Sequence, residues 1–155
     1  MKKTVLLLAL LTGLLAFSQP QRTDCSQIKS EKGRTETQTV FTTPFVDGIS
    51  LKKIKDTEVD TYIVTVRVLS PTKQSGSLVE LLFEDGNVIS KNDAKVLDGP
   101  VEDGKYQYYA LILLDDIDTE YLKNSEITGI QVMNVMELPR NAKALQELAG
   151  CLILK

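Results

Sequence analysis

From Thr61 to Leu69, Tyr62, Val64, Val66 and Val68 fall on one side of an extended chain, and Ile63, Thr65, Arg67 and Leu69 fall on the other. A period of two is what a strand with one buried face requires; a helix would scatter the same residues around its circumference. The first set is the expected core face. Ser70-Pro71-Thr72 ends the strand, because proline brings no N–H to a ladder and restricts the residue before it. The apolar runs Leu78–Phe83 and Val88-Ile89 flank Asp85-Gly86-Asn87, a hairpin signal in which the turn positions take positive φ at low cost. After residue 18, Gly48, Gly86, Gly99 and Gly104 each follow an aspartate, so the chain is punctuated after short strands. This pattern predicts a mainly β fold: one antiparallel, sandwich-like domain carrying one or two short helices. The alternative is an α+β arrangement with a helix packed on an antiparallel sheet.

Other segments fill in that frame. Thr37–Thr43 and Ile49-Ser50-Leu51 read as two short strands around Asp47-Gly48. In Lys105–Leu114, Tyr106, Tyr108, Ala110 and Ile112 lie on one face and Tyr109, Leu111 and Leu113 on the other, which predicts a central strand covered on both sides. Asp115-Asp116-Ile117-Asp118 opens a short helix running to about Leu122, its acids placed against the positive helix end. Ile127–Val135 reads as one strand, with Ile130, Val132 and Asn134 alternating against Gln131, Met133 and Val135. Asn141 is the expected cap of a helix over Ala142–Ala149, whose stripe is Leu145, Leu148 and Ala149 and whose stop is Gly150. Cys151–Leu154 then reads as a last strand, and Met133 and Met136 as core filler.

The start of the chain has a different character. Lys2 and Lys3, the apolar run Val5–Leu15 and the small residues of Ala16-Phe17-Ser18 compose a secretory signal with its cut before Gln19. The apolar run is too short to span a bilayer, which takes about 20 residues. The expected division is a cleaved signal over 1–18, a polar N-terminal arm over 19–36 and a β-rich globular domain over 37–155. Losing Lys2 and Lys3 leaves 16 basic residues against 21 acidic ones, a net charge of −5. That balance lacks the clustered basic face of a nucleic-acid binder. The predicted location is the periplasm or the medium, with no transmembrane segment in the mature chain. In such an oxidising compartment Cys25 and Cys151, 126 positions apart, are expected to pair and staple the two ends together. Arg22-Thr23-Asp24 before Cys25 is unlike the small or aliphatic residues that precede a lipid-modified cysteine.

The chain contains no histidine, which removes Ser-His-Asp and Cys-His nucleophile arrangements, the usual neutral-pH acid–base group and the commonest zinc ligand. Two acidic alternations remain, Asp116/Asp118/Glu120 and Asp56/Glu58/Asp60, and calcium is the metal that such oxygens would suit. The first set does not follow a calcium-loop pattern: Tyr121 stands where the loop needs glycine and Ile127 where it needs glutamate. A helix start explains the same acids without a metal, and no cofactor is expected. Tyr106, Tyr108 and Tyr109 form the other cluster, read either as a ligand face or as ordinary β packing. The predicted function is an exported, non-catalytic binding or interaction module for a protein or glycan of the envelope. Two alternatives stand beside it. One is a carboxylate-based hydrolase of envelope polymers, which needs two acids facing across a cleft. The other is an inhibitor or immunity-type protein presenting a rigid loop such as Ser70–Ser77 or Asp98–Gly104.

Phe17-Ser18-Gln19, the Leu81–Gly86 hairpin, the Tyr106–Leu114 strand, Ile127-Thr128-Gly129-Ile130 and a cysteine just before the terminus together resemble small exported β-rich proteins of unknown function from Gram-negative bacteria. The resemblance implies compartment and β architecture and brings no catalytic residues. An outer-membrane barrel is not expected: the strands are short, a helical segment precedes Cys151, and the chain ends on Lys155.

Overall fold

The computed structural model describes residues 24–155; the predicted signal over 1–18 and the first five residues of the predicted arm lie outside the described residues. A 3-10 turn at Cys25–Gln27 leads into β1 (Lys29–Lys32), β2 (Thr39–Thr42), β3 (Ile49–Lys55) and β4 (Thr61–Ser70). The hairpin β5 (Val79–Phe83) and β6 (Val88–Lys91) follows, then β7 (Lys95–Asp98) and β8 (Tyr106–Leu114). Helix α1 (Asp116–Asn124), β9 (Ile127–Val132), β10 (Val135–Glu137) and helix α2 (Ala142–Ile153) complete the chain. One sheet has the order β1-β2-β3-β4-β8-β7 and the other β10-β9-β5-β6, with every pairing antiparallel.

The predicted core face of β4 is the observed one. Val64, Val66 and Val68 are buried and stand opposite Ile112, Ala110 and Tyr108 of β8, in a register that runs unbroken from Tyr62–Leu114 to Ser70–Tyr106. Valines suit this position because branching at Cβ packs well on a pleated surface. Between the sheets these residues meet Val79, Leu81 and Phe83 of β5, Ile89 of β6, Ile130 and Val132 of β9, and the α2 stripe of Leu145, Leu148, Ala149 and Leu152. The single domain is therefore mainly β and sandwich-like, with two helices.

Several local expectations are corrected. Within the segment read as a polar N-terminal arm, Lys29–Lys32 forms β1, which pairs with β2 from Lys29–Thr42 to Lys32–Thr39 and forms the sheet edge. All four of its residues are exposed, so it carries none of the alternation by which a strand is recognised. Ile127–Val135 is not one strand. It turns back at Met133-Asn134, where Met133 takes φ +54° and its N–H bonds to the Leu78 carbonyl, pairing Val135 with Val132. Met133 is buried as core filler, whereas Met136 is 51% exposed. The predicted last strand is helix: α2 runs through Gly150 to Ile153, because Leu152 extends the 145-148-149 stripe by one more turn. This places Cys151 on the helix, bonded to Cys25 with Cα atoms 5.6 Å apart. Asn141 makes no side-chain cap. The anchor at that end is Asp47, whose carboxylate accepts from the backbone N–H groups of Arg140 and Asn141. Helix α1 begins as expected, Asp115 and Asp118 each accepting from the other's backbone N–H.

Candidate binding surface

Directly paired residues of an antiparallel ladder project to the same face, so the register lists the outward side of the larger sheet row by row. Leu97 of β7 pairs with Tyr109 of β8 and through it with Arg67 of β4; Lys95 pairs with Leu111, which pairs with Thr65; Leu113 pairs with Ile63, which pairs with Lys52 of β3. These side chains face away from the second sheet. Leu113 is 64% and Leu97 45% exposed, and Tyr109, Leu111, Ile63 and Ile54 are half-buried. The expectation that β8 is covered on both faces is thus wrong for the Tyr109–Leu113 side. Among the described residues, the main strand–helix contacts of α1 and α2 lie with β3, β8 and β9, and the helices join the core.

On the four strands from β3 to β7 the outward charges are all of one sign, while β1 at the far edge adds Lys29 and Glu31. Across β3, β4, β8 and β7 the outward residues include Lys52, Arg67 and Lys95 and no acid. None of the three cations has an ion pair among the described residues. One end of the face is closed by the β7–β8 connection, where Gln107 is buried and donates to the Glu102 carboxylate. Gly99 is required there, since a Cβ would lie 2.9 Å from the Tyr109 ring.

Two lysines away from this face, Lys53 and Lys91, are committed to acids. Lys53, on the core side of β3, is 3% exposed, donates to the Ile153 carbonyl at the end of α2 and pairs with Asp60 at 2.9 Å, its ammonium 5.4 Å from the Tyr62 ring centre. Burial works against its charge, but the hydrogen bonds and fields of Asp60 and Tyr62 outweigh it and raise the pKa. Lys91 at the end of β6 pairs with Asp118 at 2.8 Å; that hydrogen bond raises its pKa against the opposing effect of burial, and the Asp115 charge adds to it.

The acids read as a calcium set are not brought together. Asp118 is buried and held by Lys91 and the Asp115 N–H, Asp116 is exposed, and Glu120 bonds Asn124 and Lys123 along the helix. Asp56 accepts from Gln38, the Thr57 N–H and Thr37, which lower its pKa, while Asp60 belongs to Lys53. Glu58 and Asp56 border an open recess of about 300 Å³ together with Ile54, Val59 and Thr61. Among the described residues no group of three or more acids or cysteines is placed to hold a metal.

The three tyrosines do not share a surface. Tyr108 is buried, its hydroxyl accepting from the Gln74 N–H, Tyr109 lies half-buried on the opposite side, and Tyr106 is exposed where β8 begins. That bond also ties down the Ser70–Ser77 loop, whereas Asp98–Gly104 closes on a tight turn at Asp103-Gly104 with Val101 63% exposed. Sequence reasoning did not single out Lys52, Lys95 or Leu97 and gave Leu113 a covering layer. The signal was present in the second alternation of β4 and β8, but only the pairing register shows which cations join it.

Among the described residues no helix is long and apolar enough to cross a membrane. Comparison of the chain with protein-family models, with curated proteins and with solved structures gives no match.

Proposed function

We propose that this chain is an exported, non-catalytic interaction module, and that the outward face of its larger sheet is the docking surface. The observation that carries the reading is the row Leu97, Tyr109, Leu111, Leu113 and Ile63, an apolar surface on the second-longest strand of the sheet and its neighbours that no described element covers. Open apolar faces of this kind mark interaction sites. The Cys25–Cys151 bond supports export, because such staples persist in oxidising compartments, as does the signal-like start of the sequence. The resemblance to small exported β-rich proteins of Gram-negative bacteria points the same way. A hydrolase needs two carboxylates across a cleft, and the buried acid Asp118 is instead committed to Lys91 and a helix cap.

The test is a pull-down from envelope extract with the oxidised protein and with Leu113→Glu, a change at an exposed position that leaves the core untouched. A stoichiometric partner recovered by the parent and lost from the variant is the expected outcome. Equal recovery by both, or no specific recovery, contradicts the reading.

A further inference from the structure

Resting on the docking reading above, we infer that the occupant of this face is an acidic amphipathic helix of a partner protein. The placement of charge selects it. Lys52 of β3, Arg67 of β4 and Lys95 of β7 stand at three separate points around the apolar row, unpaired among the described residues and with no acid at the outward positions of β3, β4, β8 and β7. The rest of the chain is acidic, with 21 acids against 18 basic residues in the whole sequence. A cationic apolar face on an acidic protein orients an anionic partner and repels it elsewhere.

The same geometry disfavours the other occupants. A second copy docked face to face would set Lys52, Arg67 and Lys95 against their own counterparts around a two-fold axis. An added strand would have to pair at the β7 edge, whereas most of the apolar row lies on β4 and β8, which are hydrogen-bonded on both sides and offer side chains but no ladder groups. An anionic bilayer would meet three cations here but the net negative charge of the whole chain behind them, and each cation near such a surface contributes only about 1 kcal/mol. A helix with leucines on one face and glutamates flanking them matches both features: apolar side chains over Leu113, Leu111 and Leu97, and carboxylates within reach of the three cations.

The experiment is titration of the oxidised, isotope-labelled protein with a synthetic helical peptide of leucine and glutamate, followed by amide chemical shifts. A lysine-for-glutamate peptide and phosphatidylglycerol vesicles run alongside. The expected result is binding of the acidic peptide, with shifts confined to β3, β4, β8 and β7, weakened by added salt and at least about tenfold weaker in Lys52→Glu/Arg67→Glu/Lys95→Glu. A dispersed spectrum shows that the triple variant is folded; Lys52→Gln/Arg67→Gln/Lys95→Gln gives a second, uncharged comparison. No binding, shifts on another surface, equal binding of the basic peptide, capture by the vesicles instead, or dimerisation through this face each overturn the inference. If the acidic peptide fails while Leu113→Glu still loses an envelope partner, the docking reading survives and only the acidic helix falls.

Discussion

Asp47 holds Asn141 across 94 positions of sequence: its carboxylate accepts from the Asn141 backbone N–H and, at 3.3 Å, from the Asn141 side-chain amide. The loop between β2 and β3 thereby supplies the anchor that α2 lacks locally. Asp47 has φ +47°, a conformation that aspartate and asparagine tolerate better than most residues. We expect Asp47→Ala to lower the unfolding free energy by about 0.5–2 kcal/mol, the range of a lost helix cap, and Asp47→Asn to recover much of it. Urea unfolding of the three proteins checks this, and equal losses from both substitutions would show that the carboxylate's charge, not an accepting oxygen or a tolerated backbone, holds the helix.

Gly150 lies inside α2, and a Cβ there would meet nothing within 4 Å. Glycine inside a helix costs about 0.5–1 kcal/mol relative to alanine. Gly150→Ala is therefore expected to stabilise the protein by about that amount, read as a higher urea midpoint at unchanged slope.

The Cys25–Cys151 bond closes a loop of 126 residues and fixes the end of α2 to the first described turn. Removing a native bridge from a small domain typically costs about 2–5 kcal/mol. We expect Cys25→Ser/Cys151→Ser to lose stability in that range while keeping the parent's far-ultraviolet circular dichroism. A variant as stable as the parent would mean that packing alone holds α2 in place.

Lys53 and Lys91 keep their protons more tightly in the folded protein than at the ordinary value of 10.5. A group whose pKa is raised on folding contributes fully below its unfolded pKa, and that contribution is lost as pH rises through the folded one. Unfolding free energy should therefore decline above pH 10.5, and Lys53→Met and Lys91→Met should each flatten part of that decline. The acid side has the opposite sign: Asp56, held below its ordinary 3.8 by Gln38 and Thr57, gives stability that is lost as pH falls through its folded pKa. Unfolding curves at pH 7, 9 and 11 test the alkaline limb.

The elements visible in sequence were those whose evidence is local. Alternation in β4 marked its buried face, and Asp85-Gly86 marked the β5–β6 hairpin. The misses have tertiary causes. β1 is an edge strand of exposed residues and carries no pattern; Met133 reverses the chain with a side chain that ordinarily avoids positive φ; Gly150 stays helical because Leu152 has a place in the core. Lys53 is buried because the end of α2, 100 positions away, supplies its acceptor. The candidate face was half legible: Tyr109, Leu111 and Leu113 were readable as one side of β8, but their exposure follows from α1 and α2 joining the core side.

A photo-crosslinking residue placed at position 113, with position 88 on the outward face of the smaller sheet as the comparison, tests the proposed docking face most directly when the protein is incubated with envelope extract. Both sites are exposed, Leu113 by 64% and Val88 by 47%, so both variants should fold alike. We expect a discrete protein adduct from position 113 that position 88 does not form. No adduct from position 113, or the same adducts from both positions, would contradict a partner on the larger sheet.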